Sequence, residues 1–371
     1  MTELFIENGK LTFQEYMELA LYHPEFGYYS SRDLNIGKRG DFFTSVSLGA
    51  DFGELLAQQL LECCQNLGSL DHFALVEMGA GSGHLAIDIL NYLSQKQPDF
   101  YHKITYYIIE ISPRLRAKQQ EYINTHLEVP VTLIWCDWSE LPKITGCFFS
   151  NELVDAFPVE QIVIDNGQLK QVYVKYEQEK FHELLEPPAT AELLEYFQML
   201  EIDILTYPDG YRTEVNLRAR QWLENIARKL ETGYLITIDY GYAAQRYYHQ
   251  QRSEGTLQCY YRQHRHNDPY FRTGQQDISA SVNFTALELW GANLGLDLVG
   301  STKQALFLMS LGLGDRLNEI SFSSNNINEL LKRRDAIHQL IDPIGLGNLQ
   351  VLIQSKNIDQ TLDLRGLIEA F

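Results

Sequence analysis

The chain has 371 residues, 45% of them hydrophobic, which suffices for about two domains or for one domain with a large insertion. Its 30 Lys and Arg residues against 49 Asp and Glu residues give a net charge of −19. This charge argues against a nucleic-acid partner, because phosphates require a basic surface. No apolar run approaches the roughly 20 residues of a membrane span, and the 5 cysteines form no CxxC pair. The acidic first residues lack the apolar stretch of a signal peptide, so we expect a cytoplasmic protein without membrane insertion.

Residues 1–70 are predicted to form an N-terminal helical segment that packs on the core. Apolar residues at helical spacing begin at Phe13, and the pattern breaks at His23-Pro24. A loop follows, after which Ser47 or Asp51 is expected to cap a second helix.

The stretch over residues 73–83 organises the rest of the chain. A short apolar run ends in Gly79, Gly81 and Gly83, and apolar residues at helical spacing follow. This pattern predicts a buried strand, a tight glycine turn and a helix. Glycines let the backbone approach a ligand closely, and a helix N-terminus attracts negative charge. The first hypothesis is therefore a nucleotide-type cofactor at this turn.

Strands and helices continue to alternate after the turn, which predicts an α/β fold with a doubly wound, mostly parallel sheet. Gly233 is expected to end the helix before the fifth strand. Two late strands are expected to pair as a terminal antiparallel hairpin. The predicted strands after the first cover residues 104–110, 131–136, 145–150, 234–240, 304–309 and 349–354.

An insertion divides the predicted core into residues 71–158 and 213–371. Residues 159–212 alternate around Asp165-Asn166-Gly167, a strong hairpin signal, and then become helical. This composition predicts an inserted α+β subdomain. Residues 241–283 are long, polar and rich in aromatics, and we interpret them as a functional lid loop.

Two cofactors compete for the glycine turn, a dinucleotide and S-adenosyl-L-methionine. The dinucleotide fingerprint is GxGxxG, whereas this chain has GxGxG. Glu110 follows the second strand, where an acid accepts hydrogen bonds from ribose hydroxyls in both cases. Asp137 ends the third strand, and an acid there suits the adenine of S-adenosyl-L-methionine better. The terminal hairpin also resembles class I methyltransferases, so the sequence favours S-adenosyl-L-methionine.

Several further motifs in a fixed order resemble the MidA-type family of class I methyltransferases over nearly the whole chain. This family includes a mitochondrial complex I assembly factor with arginine methyltransferase activity. The resemblance implies methylation of arginine in a protein, such as a complex I-type subunit during assembly. It also implies cofactor contacts from Asp41, Thr44, Glu77 and Asn151. The motifs lie at residues 40–45, 52–54, 77–83, 112–115, 151–159, 238–242 and 264–269.

The chain departs from the family pattern at a few positions. Ala80 replaces a proline, and Val46-Ser47 replaces Pro-Glu. Ser281 and Asn283 stand where the pattern has His and Asp, so a role of that histidine is not carried over.

Carboxylates after the fourth strand are the candidates for the chemistry. Methyl transfer to a guanidinium requires a positioned nucleophile and control of its charge and proton, and carboxylates grip its planar fork. Glu152 and Asp155 follow the strand and are predicted to be catalytic, although Asp155 also suits a helix cap. His264 in the lid is a third catalytic candidate, with solvated lid residues as the alternative. Its spacing from His266 and Asp268 is poor evidence for a metal, so none is predicted.

Two other functions remain open at this stage. One is a methyltransferase for another protein or a small molecule. The other is an assembly chaperone with a vestigial cofactor pocket.

Overall fold

The computed structural model describes residues 9–30, 44–68, 70–262, 264–320, 327–358 and 363–368. The chain divides into two compact units. Unit 1 comprises Met1–Asn35, Val154–Leu223 and Gly241–Trp290, and unit 2 comprises Ile36–Leu153, Glu224–Tyr240 and Gly291–Phe371. This grouping differs from the predicted division, because it places the first helix with the insertion and the predicted lid.

Strands and helices alternate along most of the chain. In chain order the strands are β1 (Leu11–Thr12), β2 (Phe73–Met78), β3 (Ile104–Ile109), β4 (Thr132–Cys136), β5 (Ile144–Asn151), β6 (Glu160–Asp165), β7 (Gln168–Glu177), β8 (Lys180–Glu186), β9 (Arg212–Val215), β10 (Leu230–Asp239), β11 (Gly241–Tyr242), β12 (Gln258–Tyr261), β13 (His264–His266), β14 (Asp277–Ser279), β15 (Val282–Asn283), β16 (Asp297–Lys303) and β17 (Gln350–Lys356). The helices are α1 (Phe13–Tyr22), α2 (Asp51–Asn66), α3 (His84–Lys96), α4 (Pro98–Tyr101), α5 (Pro113–His126), α6 (Glu192–Met199), α7 (Leu217–Lys229), α8 (Ala244–Tyr247), α9 (Phe284–Asn293), α10 (Gln304–Ser310), α11 (Leu313–Ile320) and α12 (Ile327–Leu340).

Unit 2 is built on a seven-stranded sheet with the order β16-β17-β10-β5-β2-β3-β4. The strands from β10 to β4 are parallel, and β17 runs antiparallel to both β10 and β16. This order confirms the predicted doubly wound sheet of class I methyltransferase type with its terminal antiparallel pair.

The central strand of this sheet is buried along its whole length. All six residues of β2 are buried, as expected for a parallel strand with both faces covered. The apolar faces of α2 and α3 supply much of the hydrophobic core of unit 2. The carboxyl ends of the parallel strands form one edge of the sheet, which is where ligands bind in such folds.

Unit 1 contains mainly antiparallel sheet. A five-stranded sheet has the order β1-β7-β6-β9, and β8 also pairs with β7. The predicted hairpin is confirmed: β6 and β7 pair through a turn in which Asn166 and Gly167 have φ of 49° and 67°. The first helix is confirmed as well, and Thr12 and Glu15 form a capping box at its start.

The predicted lid has regular structure of its own. Residues 241–283 contain α8, a three-stranded sheet with the order β13-β12-β14, and the parallel pair β11-β15. The prediction of one long loop is therefore wrong. The strands are too short to show a hydrophobic period in the sequence.

Three local predictions are corrected. Residues 304–309 belong to a helix, α10, and the late strand is β16, just before it. Gly233 does not end a helix but lies inside β10, where φ is 146°. Neither Ser47 nor Asp51 caps α2, because Ala50 occupies the N-cap position and provides no side-chain cap. Asp51 lies in the first turn of the helix, and the Ser47 hydroxyl donates to the Thr44 carbonyl at 2.7 Å. Among the described residues, no helix has the length and apolar character needed to cross a bilayer.

Candidate active site

The glycine turn follows β2 at the carboxyl edge of the sheet in unit 2. Gly79, Gly81 and Gly83 have φ of 70°, 52° and 85°, a region that side chains disfavour. A Cβ atom at Gly79 would lie 2.6 Å from the Leu153 Cδ1 atom, so the end of that side chain would have to shift to admit it. A Cβ atom at Gly81 would meet no atom of the described residues within 4 Å. Within this part of the chain, Gly81 therefore borders open space, and α3 begins directly after the turn.

Gln119 on α5 ties the glycine turn to Glu110. Its Nε2 donates to the Gly81 carbonyl and to Glu110 Oε2, both at 3.0 Å, and its Oε1 accepts from Trp135 Nε1 at 3.1 Å. Gln119 is 0% exposed. Burial raises the pKa of Glu110, although hydrogen bonds from the Ser112 amide and Gln119 favour its charged form. The sequence analysis missed Gln119, because nothing local marks it.

Glu77 lies within β2, before the turn. Its Oε2 accepts a hydrogen bond from the Tyr106 hydroxyl at 2.7 Å, and the side chain is buried. Burial raises the pKa of Glu77 to about 7, and the neighbouring Glu110 and Asp88 carboxylates add to this effect.

Asp137 lies just after β4 at the same edge of the sheet, and its side chain is exposed. Its amide donates to Glu140 Oε2 at 3.0 Å, and Arg116 Nη2 lies 3.4 Å from its Oδ1. Because β3 and β4 are parallel neighbours, Glu110 and Asp137 follow adjacent strand ends. Asp41 lies outside the described residues.

Glu152 follows β5 with φ of 51°, an uncommon left-handed conformation. Its Oε1 accepts hydrogen bonds from the Ser45 amide at 3.0 Å and from Asn151 Nδ2 at 3.1 Å. Burial raises the pKa of Glu152 to about 8, and repulsion by Asp239 adds to the shift. Asn151 Oδ1 is buried without a hydrogen-bond partner among the described residues. Such an acceptor suits a donor from a bound molecule.

Asp239 at the end of β10 holds the chain after Glu152. Its carboxylate accepts from the Leu153 amide at 3.1 Å and from the Tyr240 amide at 2.8 Å, and it is fully buried. The Glu152 amide itself donates to the Ile238 carbonyl at 2.9 Å. The motif at residues 238–242 does not by itself indicate this positioning role, because the role depends on a contact with the distant Leu153.

Thr44 and Ser45 connect a second segment of unit 2 to Glu152. The Thr44 amide donates to Ser47 Oγ at 3.2 Å, and Thr44 is half-buried. The Ser45 hydroxyl lies 3.1 Å from Gln304 Oε1, to which it donates. Since the Ser45 amide also donates to Glu152, this segment fixes the position of the carboxyl group.

Asp155 and His264 belong to unit 1, whereas the other described candidates belong to unit 2. Asp155 lies in a single 3-10 turn over Val154–Ala156, and its carbonyl accepts from the Ala280 amide at 2.9 Å. The next element is a strand, so the helix-cap alternative is wrong. His264 begins β13 and is exposed.

The departures at Ser281 and Asn283 have structural roles in unit 1. Asn283 Nδ2 donates to the Tyr196 hydroxyl at 2.8 Å, and its Oδ1 accepts from the Ala286 amide at 3.3 Å, next to the start of α9. The Ser281 amide donates to Thr256 Oγ1 at 3.1 Å. Ser281 therefore links two segments of the region predicted to be a lid, whereas Asn283 ties the end of that region to α6 and α9.

The residues at the sheet edge of unit 2 fit a nucleotide-type cofactor. The open space beside Gly81, the buried acceptor of Asn151 and the Glu110 carboxylate after β3 are the observations that support this fit.

Comparisons with known proteins decide between the two cofactors. The sequence profile of a family of S-adenosyl-L-methionine-dependent methyltransferases matches residues 55–302, more than half of the chain. The chain belongs to this family. Its cofactor is therefore S-adenosyl-L-methionine, and the dinucleotide alternative is excluded.

Similar proteins span most of this methyltransferase. "Protein arginine methyltransferase NDUFAF7, mitochondrial" of Homo sapiens is 26% identical, with 91% of this chain and 78% of the human protein covered. The Drosophila melanogaster homolog is 25% identical, with coverage of 92% and 80%. A solved structure of a Burkholderia thailandensis protein bound to S-adenosyl-homocysteine has a TM-score of 0.86 and 30% identity, with 98% and 92% covered. The cytoplasmic location expected from the first residues stays a prediction.

Proposed function

We propose that this methyltransferase transfers the methyl group of S-adenosyl-L-methionine to an arginine side chain of a protein substrate. The observation that carries the proposal is the Glu152 carboxyl group, held at the carboxyl end of β5 by the Ser45 amide and Asn151. The names of the relatives, which describe protein arginine methyltransferases, support the same substrate class. By family resemblance, a subunit of a complex I-type assembly is the proposed physiological substrate.

The cofactor contacts in this proposal come from the carboxyl edge of the sheet. The turn of Gly79, Gly81 and Gly83 presents its backbone to the ligand, with room beside Gly81. Glu110 accepts from ribose hydroxyls, and Asp137 accepts from the adenine. Asp41, Thr44, Glu77 and Asn151 are proposed as further contacts to the cofactor. Bound S-adenosyl-L-methionine supplies an electrophilic methyl group on a sulfonium.

Glu152 is proposed to bind the guanidinium and to stabilise charge on the attacking nitrogen. Its raised pKa of about 8 means that it is mostly protonated at neutral pH without substrate. A nearby guanidinium favours the ionised form, because opposite charges lower a carboxyl pKa. The carboxylate then accepts hydrogen bonds from the guanidinium and orients it for in-line attack. Asp155 and His264 are proposed as further catalytic candidates.

The test is the Glu152→Gln variant, which keeps the shape of the side chain and removes its charge. We expect turnover to fall by roughly 10²–10⁴, the scale for losing a positioned proton-handling group, with cofactor affinity within about twofold of wild type. The assay follows methyl transfer to the physiological protein, with peptide mass spectrometry to identify the modified residue and calorimetry for the cofactor. Near-wild-type turnover in Glu152→Gln would contradict the proposed mechanism.

Glu160→Gln is the matched control. Glu160 is buried and lies in unit 1, and desolvation raises its pKa to about 7, as it raises that of Glu152. This variant should leave turnover and cofactor affinity within about threefold of wild type, since a merely buried carboxyl has no share in the chemistry. Methylation of a residue other than arginine would instead support another methyltransferase substrate. Cofactor binding without any transfer would support the chaperone.

A further inference from the structure

Gln304 is a fully buried polar residue of unit 2 that is linked to Glu152 through Ser45. It is the first residue of α10, directly after the edge strand β16, and 0% of its surface is exposed. Burying an amide side chain costs free energy unless its donors and its acceptor find partners. The partners of Gln304 therefore show which segments of the chain it holds together.

The Gln304 side chain joins two segments that are distant in the sequence. Its Nε2 donates to the Leu340 carbonyl at 3.2 Å, and its Oε1 accepts from the Ser45 hydroxyl at 3.1 Å. Leu340 is the last residue of α12, where a carbonyl has no acceptor role inside the helix. Because this carbonyl can only accept, the amide nitrogen must face it, which leaves Oε1 for the Ser45 hydroxyl. The orientation of the Gln304 amide is thereby fixed.

The backbone of Gln304 is anchored to the sheet. Its amide donates to the carbonyl of Leu349 at 2.8 Å, and Leu349 directly precedes β17. The strand β17 lies between β16 and β10 in the seven-stranded sheet. Gln304 is therefore tied to the sheet by its backbone and to α12 by its side chain. Such support on two sides gives its Oε1 atom a defined position.

Ser45 transmits this position to Glu152. It begins a single 3-10 turn, Ser45–Leu48, which lies outside the strands of the sheet. Ser45 is fully buried, its hydroxyl donates to Gln304, and its amide donates to Glu152 Oε1 at 3.0 Å. Because the hydroxyl and the amide belong to one residue, a movement of Ser45 that breaks the first hydrogen bond also displaces the second.

We propose that Gln304 is a positioning residue, which holds the Ser45 amide against the Glu152 carboxyl group. In this role it acts through Ser45 and needs no contact with cofactor or substrate. The inference rests on the proposed role of Glu152 in methyl transfer. The hydrogen bond from the Ser45 amide favours the ionised carboxylate, so its loss raises the pKa of Glu152 further. The rise of kcat/KM with pH should then occur at a higher pH.

The test measures kcat/KM for the protein substrate against pH in wild type, Gln304→Met and Ser45→Ala. Methionine keeps the volume of Gln304 and removes both side-chain hydrogen bonds, whereas Ser45→Ala is the milder change, since it keeps the amide. In each variant the inflection should lie about 0.5 or more higher on the pH scale, the effect of weakening a hydrogen bond to a charged group. The double variant should shift no further than the larger single shift, because both substitutions break the same link.

Gln59→Met is the matched control. Gln59 is also fully buried in unit 2, where its Nε2 donates to Glu62 Oε2 at 2.8 Å and its Oε1 accepts from the Gly366 amide at 2.9 Å. Within the described part of the chain, neither partner bonds to Ser45 or Glu152. Its inflection should stay within about 0.2 of the wild-type pH, because distant sites act independently. An equal shift in Gln59→Met would overturn the proposal, as would the absence of a shift in both Gln304→Met and Ser45→Ala.

A second readout, which does not depend on activity, separates this inference from the proposed function. NMR of protein labelled with ¹⁵N-serine reports hydrogen exchange of the Ser45 amide, whose signal is identified by its absence in Ser45→Ala. Exchange should be at least about tenfold faster in Gln304→Met than in wild type or Gln59→Met. Unchanged exchange would overturn the positioning role. Faster exchange, together with an inflection that persists in Glu152→Gln, would contradict the proposed function and support the hold of Gln304 on Ser45.

Discussion

At the scale of single residues, the ionisation of Glu152 should determine how activity depends on pH. Its pKa is raised to about 8 by burial and by Asp239, so below that pH the free enzyme carries a neutral carboxyl group. Because the carboxylate is the form that attracts a guanidinium, kcat/KM should rise with pH and level off above about 8. The measurement is kcat/KM for the protein substrate between about pH 6 and 9. In Glu152→Gln the rise should be absent, and an unchanged inflection in that variant would assign it to another group.

The second prediction at this scale concerns Gln119. Gln119→Met keeps the volume but removes both hydrogen bonds it donates, to the Gly81 carbonyl and to Glu110, and leaves Trp135 Nε1 without its acceptor. Unpaired buried groups of this kind cost about 1–3 kcal/mol each. We expect cofactor affinity by calorimetry to fall at least tenfold, with turnover at saturating cofactor within about threefold of wild type.

Gln171→Met is the control for Gln119. Gln171 is also buried and donates to a buried carboxylate, that of Glu160, at 2.8 Å, but it lies in unit 1. The Gln171→Met substitution should lower the stability of the fold without changing cofactor affinity by more than about twofold. Equal affinity losses in the two variants would mean that Gln119 acts only through global stability.

At the scale of elements, the contacts of β5 with its two neighbours, β10 and β2, each depend on a glycine. A Cβ atom at Gly233 would lie 1.8 Å from the Gly146 carbonyl oxygen, and one at Gly146 would lie 2.0 Å from the Ala74 carbonyl oxygen. Both neighbours are backbone atoms of paired strands, so they cannot move aside without disturbing the sheet. Gly233→Ala should therefore cost about 3 kcal/mol or more, since overpacking alone costs about 1–3 and φ of 146° adds strain.

The measurement is the free energy of unfolding in urea, with Gly295→Ala as the control. Gly295 also has positive φ, 77°, but a Cβ atom there would meet no atom of the described residues within 4 Å. Only the backbone term of about 1–2 kcal/mol applies to it. If both variants lose the same stability, close packing at Gly233 is not the cause.

The same elements show how far the sequence predicts the structure. The glycine turn and β2 could be predicted because their signals are local and the strand is buried on both faces. The strand β16 could not, because it is an edge strand with mostly exposed or half-buried residues, and the apolar run that suggested a strand belongs to α10. A short apolar run does not distinguish a buried strand from a buried helix. Glu110 follows a strand end and could be found, whereas Gln119 and Asp239 act through contacts with distant segments.

At the scale of the whole molecule, the division into two units makes the last prediction. The described candidates for cofactor binding all lie in unit 2. They are Glu77 in β2, the glycines of the following turn, Glu110, Asp137, Asn151 and Thr44. A ligand that binds only the folded state at about a hundred times its Kd stabilises that state by about 2.7 kcal/mol. Amides that exchange through opening of the binding region should slow accordingly, while amides whose opening is independent of the site should not.

We therefore expect S-adenosyl-homocysteine to slow hydrogen exchange most at residues 77–84 and 110–119, measured by mass spectrometry of peptides from the full chain. The Gln119 contacts join these two segments, so they should be protected together. Exchange in the hairpin of β6 and β7, in unit 1, should change by less than about twofold. Homocysteine alone, which lacks the nucleoside, is the ligand control and should protect neither segment. Protection of the hairpin without protection of the glycine turn would show that the cofactor binds outside unit 2.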